Sequence, residues 1–336
     1  MKTTWQAPSN IALVKYWGKR HPQLPSNASL SMTLDACHSQ TTVEATAGSG
    51  FEFTFEGEAK PAFRPKIEQF LSRIADRHPW LVDWHLDIQS QNSFPHSSGI
   101  ASSASAFAAL SQCIVDLAQQ QGMNLENPQR EASILARLGS GSASRSVYGG
   151  WVHWGAHDGV KGSHDEFAMP HPGEIHPDMM QWHDSILLVD VGQKAVSSTA
   201  GHQLMETHPF AKQRFAQAHQ HIADMGNILA QGDVMRMIDL AENEALTLHG
   251  LMMSSNPSYI LMRPNTLKII ELVRELRRDT GMPVGFTLDA GANVHLLYHN
   301  SVMVEVRDFI DNALKQFCKN GRYIHDQIGM GPVNLT

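Results

Sequence analysis

Strand-like and helix-like patterns are interleaved irregularly along this 336-residue chain, and that irregularity excludes most large fold classes. TTVEATA (41 to 47) and FEFTF (51 to 55) are rich in β-branched and aromatic residues, and with Gly48 and Gly50 between them they are expected to form a hairpin. PKIEQFLSRIADRH (65 to 78) instead places Ile67, Phe70, Leu71 and Ile74 on one helical face, whereas WHLDIQSQN (84 to 92) alternates as a strand does. Another helix is expected from near Ala101, with Phe107, Leu110, Ile114 and Leu117 inward. A polar, proline-marked stretch (156 to 182) then leads to a strand, SILLVDV (185 to 191). Helical patterns follow at 210 to 231, 232 to 253, 265 to 278 and 302 to 319, the last with Val302, Val306, Phe309, Ala313 and Phe317 inward. VGFTLDA and NVHLLYH form a hairpin between the last two. A doubly wound sheet would need regular β-α alternation, so the expected class is α+β. The length exceeds what one hydrophobic core usually serves, which places two domains at 1–184 and 185–336.

Composition narrows the function. Apolar residues at 42%, with 25 Gly, are enough for a packed core. The 26 basic side chains against 33 acidic ones give a net charge of −7, which argues against nucleic acid as a partner. Cys37, Cys113 and Cys318 are far apart and form no C-x-x-C pair, as expected of a reduced, cytoplasmic protein without disulfides or a thiolate zinc site. No signal peptide opens the sequence and no apolar run approaches ~20 residues, so neither secretion nor membrane spanning is expected. Histidines number 19, but H-E-x-x-H is absent and pairs such as His219 and His221 or His171 and His176 do not lie at i, i+4, so no protein-held metal is expected.

Chemistry concentrates in three segments. NSFPHSSGIASSAS (92 to 105) joins a strand to a helix N-terminus. Its small residues suit either an anion site, where backbone N–H groups approach a ligand, or a Ser/Gly connector ended by a capping serine. It matches neither the Walker A loop nor the dinucleotide glycine motif. GSGSASRSVYGG (139 to 150) embeds one arginine, Arg145, among serines, where its planar fork could bind a carboxylate or phosphate or simply meet solvent. GFTLDAGANVHLLY (285 to 298) carries one carboxylate, Asp289, at a strand end: a turn former or a general base. Residues 1 to 34, 88 to 115 and 132 to 157 contain no Asp or Glu, as a pocket for a polyanion would require if the fold brings them together.

APSNIALVKYWGKR (7 to 20) with LPSNASLSMTL (24 to 34), followed by the three segments above and SSTAG (197 to 201), resembles the diphosphomevalonate decarboxylases of the GHMP kinase superfamily. The motifs occur in that family's order over nearly the whole chain. The resemblance implies an N-terminal domain like ribosomal protein S5 domain 2, a ferredoxin-like C-terminal domain and a site in the cleft between them. It implies ATP with Mg²⁺, the substrate mevalonate 5-diphosphate, a homodimer, and the product isopentenyl diphosphate. The alternative is a sister enzyme acting on mevalonate or its 5-phosphate. By the same resemblance Asp289, Arg145 and Lys15 are catalytic, and Asn10, Tyr16, Lys19, Ser142, Ser197 and Ser198 bind substrate. Pro95, Ser98, Gly99, Ala101, Ser102 and Ser103 belong to the phosphate loop. Four departures stand out: Ala28 for a serine, Ser144 for a cysteine, His96-Ser97-Ser98 for a more apolar triplet, and His202 for a methionine.

Overall fold

The computed structural model describes residues 1–95, 100–192 and 198–336, the side chains of 198–200 excepted. Two sheets organise it. The larger is eight-stranded, and its central members are Lys2–Val14 and the 19-residue strand Ser29–Ala47, paired antiparallel. Register shifts between Pro8 and Asn10 and between Ala12 and Val14 bend the first strand where Pro8 offers no N–H to the ladder. Asn10 is thereby turned into the interior, 3% exposed.

The expected hairpin of 41 to 47 with 51 to 55 is not formed. Trp84–Asn92 lies between these strands, antiparallel to Ser29–Ala47 and parallel to Phe51–Phe55. The glycine pair reverses the chain, but the backbone groups of both flanking strands are satisfied by a segment some forty residues later, which local periodicity does not reveal. Arg64–Ile74, Ser102–Gln120 and Pro128–Gly139 cover one face, burying Ile67, Phe70, Phe107, Leu110, Ile114, Leu117, Leu135 and Leu138. The first helix ends four residues earlier than its sequence pattern, and Leu71 is only partly buried.

The smaller sheet is four-stranded and antiparallel, in the order Val284–Thr287, Val294–His299, Trp182–Leu187, Tyr323–Gln327. Its third member begins three residues before the expected strand and ends at Leu187. The expected hairpin around Asp289 is present. Val333–Asn334 returns to pair with Lys2–Val14 in the first sheet. Ala211–Gln231 and Val234–Met253 bridge the sheets, with Ile222, Met225, Ile228, Ile238 and Ala241 sharing one core with Leu13, Leu30, Met32, Trp151 and Ile186. Pro264–Thr280 packs Ile269, Ile270 and Val273 on the second sheet.

The final helical segment departs from its sequence pattern. Met303–Phe309 is α-helical, Ile310–Leu314 widens to a π turn and Lys315–Phe317 closes as 3₁₀. The buried positions are Val306, Ile310, Leu314 and Cys318, all four residues apart. A π turn holds more residues than an α turn, so a four-residue repeat stays on one face there. Val302, Phe309 and Phe317 are left partly buried at the margin. All three cysteines are buried and free.

Candidate active site

A cavity of about 320 Å³ lies where the acid-poor segments converge. Lys15, Tyr16 and Lys19 reach it from the first, Ala101, Ser102 and Ser103 from the second, and Gly139 to Ser142 with Arg145 from the third. Asn10 and Asp289 complete the set inferred from sequence. Pro95 is partly buried and lies off this wall. Ser98, Gly99 and Ser197 fall outside the described residues, and of Ser198 only the backbone, opening the short helix Ser198–Gln203, is described. Among the described lining residues, Asp289 is the one acid against Lys15, Lys19, Lys66 and Arg145.

Asp289 follows the strand Val284–Thr287 and leaves 29% of its side chain exposed, while Lys15 behind it is only 2% exposed. The Lys15 ammonium donates to Asp289 Oδ1 at 3.2 Å. Burial pulls the pKa of Lys15 down, against the opposing fields of Asp289 and Glu244. His249 Nε2 lies 3.0 Å from the Asp289 carbonyl, and burial holds this imidazole near pKa 4, which makes it a neutral donor to the turn.

The Lys15 backbone is itself anchored. Its N–H donates to Glu244 Oε2 at 2.7 Å, its carbonyl accepts from Arg214 Nη2 at 3.1 Å, and Arg214 grips Glu244 through two bonds of 2.6 Å. Burial alone would raise the Glu244 pKa, but His221 and Arg214 outweigh it and hold the carboxyl near 2. This depressed value contributes stability above the unfolded carboxyl value of about 4.3, and that contribution fades as pH falls toward 2. Glu244→Gln, which leaves Arg214 buried without a counter-charge, is expected to cost about 3–5 kcal/mol at pH 7. It should also flatten the loss of stability between pH 5 and 2, as urea titrations across that range would read. An unchanged acid limb would show that Glu244 is not the group titrating.

Arg145 sits in the 3₁₀ segment Gly141–Val147, 3% exposed, rather than in solvent. Its Nε donates to Asn10 Oδ1 at 3.2 Å and its Nη1 to Ser29 Oγ at 2.5 Å, while Asn10 Nδ2 donates to Ser146 Oγ at 2.7 Å and to the Ser142 carbonyl at 3.3 Å. Two strands therefore fix the guanidinium plane, and Nη2 has no hydrogen-bond partner among the described residues. Burial lowers its pKa to about 10, which still leaves it charged at neutral pH.

Ala101 adopts φ +46° immediately before the helix Ser102–Gln120, and no side chain caps that N-terminus. A left-handed alanine is costly, and such strain collects at ligand-binding turns. The capping serine of the connector reading is thus not found. Ser102 and Ser103 stand at the positive end of a 19-residue helix with no acid in its first turn. They also border a second, largely apolar cavity of about 250 Å³, walled by Phe53, Phe55, Phe63 and Phe107, with Lys66 at the junction.

Lys15 and Lys19 are not two successive positions of one strand. The strand stops at Val14, and Gly18 takes φ +92°, a conformation that favours glycine. Lys19 bonds Gln23 Oε1 at 3.1 Å and remains partly exposed to the cavity. Lys66, Gln23 and His202 were not singled out as site residues from sequence. Lys66 lies on the polar side of an amphipathic helix, a position indistinguishable there from a solvated lysine.

Four cations, one carboxylate and an open helix N-terminus line one cavity, a composition suited to a polyanionic ligand. Residues 7–167 match the diphosphomevalonate decarboxylase-like N-terminal domain, and residues 185–331 match the mevalonate 5-diphosphate decarboxylase C-terminal domain. Diphosphomevalonate decarboxylase of Gibberella zeae is 31% identical over 311 residues, covering 87% of this chain and 79% of that protein. Mevalonate diphosphate decarboxylase from Staphylococcus aureus superposes with TM-score 0.86 at 29% identity over 100% of this chain and 98% of that one. MDDEF in complex with MVAPP, AMPPCP and magnesium gives TM-score 0.85 at 30% identity over 100% and 99%. The chain belongs to the diphosphomevalonate decarboxylase family and has its GHMP kinase fold.

Proposed function

We infer that this chain catalyses the ATP-dependent decarboxylation of mevalonate 5-diphosphate to isopentenyl diphosphate, releasing ADP, phosphate and CO₂. The observation that carries the inference is the placement of Asp289 and Arg145 on one cavity wall with the helix N-terminus at Ser102. A tertiary alcohol leaves poorly, so the C3 hydroxyl is first phosphorylated by ATP. Asp289 accepts the hydroxyl proton, and Lys15 holds its carboxylate in place. Backbone groups at Ser102 and Ser103 meet the ATP phosphates, and the apolar cavity beside them suits the nucleotide base. Phosphate then departs with the C–O electron pair. The C1–C2 electrons move to form the C2–C3 double bond, and C1 leaves as CO₂. Arg145 orients the carboxylate by parallel N–H contacts without giving it a proton.

Among the described residues no group of three His, Cys, Asp or Glu side chains is placed to hold a metal ion. With Asp289 alone on the wall, the donor set fits Mg²⁺ brought by the nucleotide's phosphates, whose charge the ion offsets. In this reading residues 1–184 supply the phosphate loop and Arg145, and residues 185–336 supply Asp289. Cytoplasmic residence and a homodimer belong to the same reading and rest on the family.

Lys19 sets the expected substrate preference. Removing the terminal phosphoryl leaves a partly buried cation underpaired, at a cost of about 1.5–3 kcal/mol. The kcat/KM for mevalonate 5-diphosphate should therefore exceed that for the 5-phosphate by at least ~10-fold, and Lys19→Met should narrow the gap. Equal values would point to the sister enzyme acting on the monophosphate.

A further inference from the structure

His202 lines the catalytic cavity and takes no part in the reaction steps. His202 is 9% exposed, and its Nδ1 accepts the Gly18 N–H at 3.0 Å, so the ring proton resides on Nε2. Tyr16 and Trp17 hold the ring at centroid distances of 4.2 and 4.9 Å. Nε2 has no protein partner among the described residues. The ring borders both the catalytic cavity and an adjoining one of about 530 Å³, where it shares the wall with Lys19, Arg20, Lys212 and one acid, Glu206. Burial, then Lys19 and Arg145, push its pKa down to about 3, which keeps it neutral beside those cations.

We propose that His202 is a specificity-determining residue whose Nε2–H donates a hydrogen bond to the terminal phosphoryl group of the substrate's diphosphate. This rests on the reading of the site given above. Arg145 is committed to the carboxylate, and Lys19 is the cation that borders both cavities with His202, which puts the ring at the diphosphate end. A neutral donor adds a bond to the anion without burying another charge.

The test uses the full chain. Wild-type CO₂ release from mevalonate 5-diphosphate with ATP first establishes the underlying reading. His202→Met is then expected to raise the KM for that substrate ~10-fold or more with kcat changed less than ~2-fold, the pattern of a contact kept from ground to transition state. His202→Gln, whose amide reaches the Nε2 position, should recover most of the loss. In ¹⁵N spectra the wild-type ring should show the Nε2–H tautomer, and the Nε2 signal should move with mevalonate 5-diphosphate or inorganic diphosphate. An unchanged KM in folded His202→Met, a Gln variant no better than Met, or a ring signal insensitive to diphosphate would overturn the proposal. If the wild type releases no CO₂, the underlying reading fails, and the inorganic diphosphate titration still decides whether His202 meets the anion.

Discussion

Asp289→Asn is expected to lower turnover by 10²- to 10⁴-fold, the range supplied by a positioned general base. The amide keeps the shape of the carboxylate but has no affinity for the C3 hydroxyl proton. Its oxygen can still accept from Lys15, so the turn after Val284–Thr287 should keep its form, supported by His249 on the Asp289 carbonyl. What Lys15 loses is a counter-charge, with Glu244 remaining the other acid whose field opposes the effect of burial. Nucleotide affinity should change little, because the helix N-terminus at Ser102 belongs to a separate element. Steady-state kcat together with a nucleotide binding isotherm reads both expectations. A near-wild-type rate would remove Asp289 from the chemistry.

Arg145→Gln should cost at least ~10²-fold in kcat/KM, since misplacing a reacting carboxylate by about 1 Å is enough for that. Arg145→Lys should not restore the rate fully. The guanidinium is held by Asn10 and Ser29 so that its plane is fixed before substrate arrives. An ammonium can satisfy one of those acceptors or the ligand, but it cannot offer two parallel N–H bonds to a carboxylate. Full activity in the lysine variant would show that charge alone suffices. Both variants should be compared by chemical denaturation, because Arg145 also ties the two central strands of the first sheet.

The parts of this fold that were legible in the sequence are those where a local period and the tertiary environment agree. The helix bearing Phe107, Leu110, Ile114 and Leu117 and the hairpin around Asp289 appear where their patterns place them. Strand partners chosen across long sequence separations were not legible: Trp84–Asn92 displaces the hairpin suggested by Gly48 and Gly50. Nor was the π turn at Ile310, where a four-residue repeat of buried side chains replaces the α period. For the site, three acid-free windows carried real information, because their convergence around one cavity is what concentrates positive charge there. Arg214 and Glu244 left no such trace. They lie on different helices, and nothing in either helix alone marks them as the anchor of the Lys15 backbone. His202 stood out in the sequence only through the resemblance, which implies a methionine there, and its tautomer follows solely from the Gly18 contact.

In this reading phosphoryl transfer and loss of CO₂ are coupled in one cavity, so the ratio of ADP to CO₂ reads the coupling itself. Purified protein supplied with ATP, Mg²⁺ and mevalonate 5-diphosphate should release ADP and CO₂ at 1:1, with neither formed when ATP or the organic substrate is withheld. ADP accumulating without CO₂ would mean that Arg145 and its surroundings do not carry the phosphorylated intermediate on to decarboxylation, and would contradict the assignment.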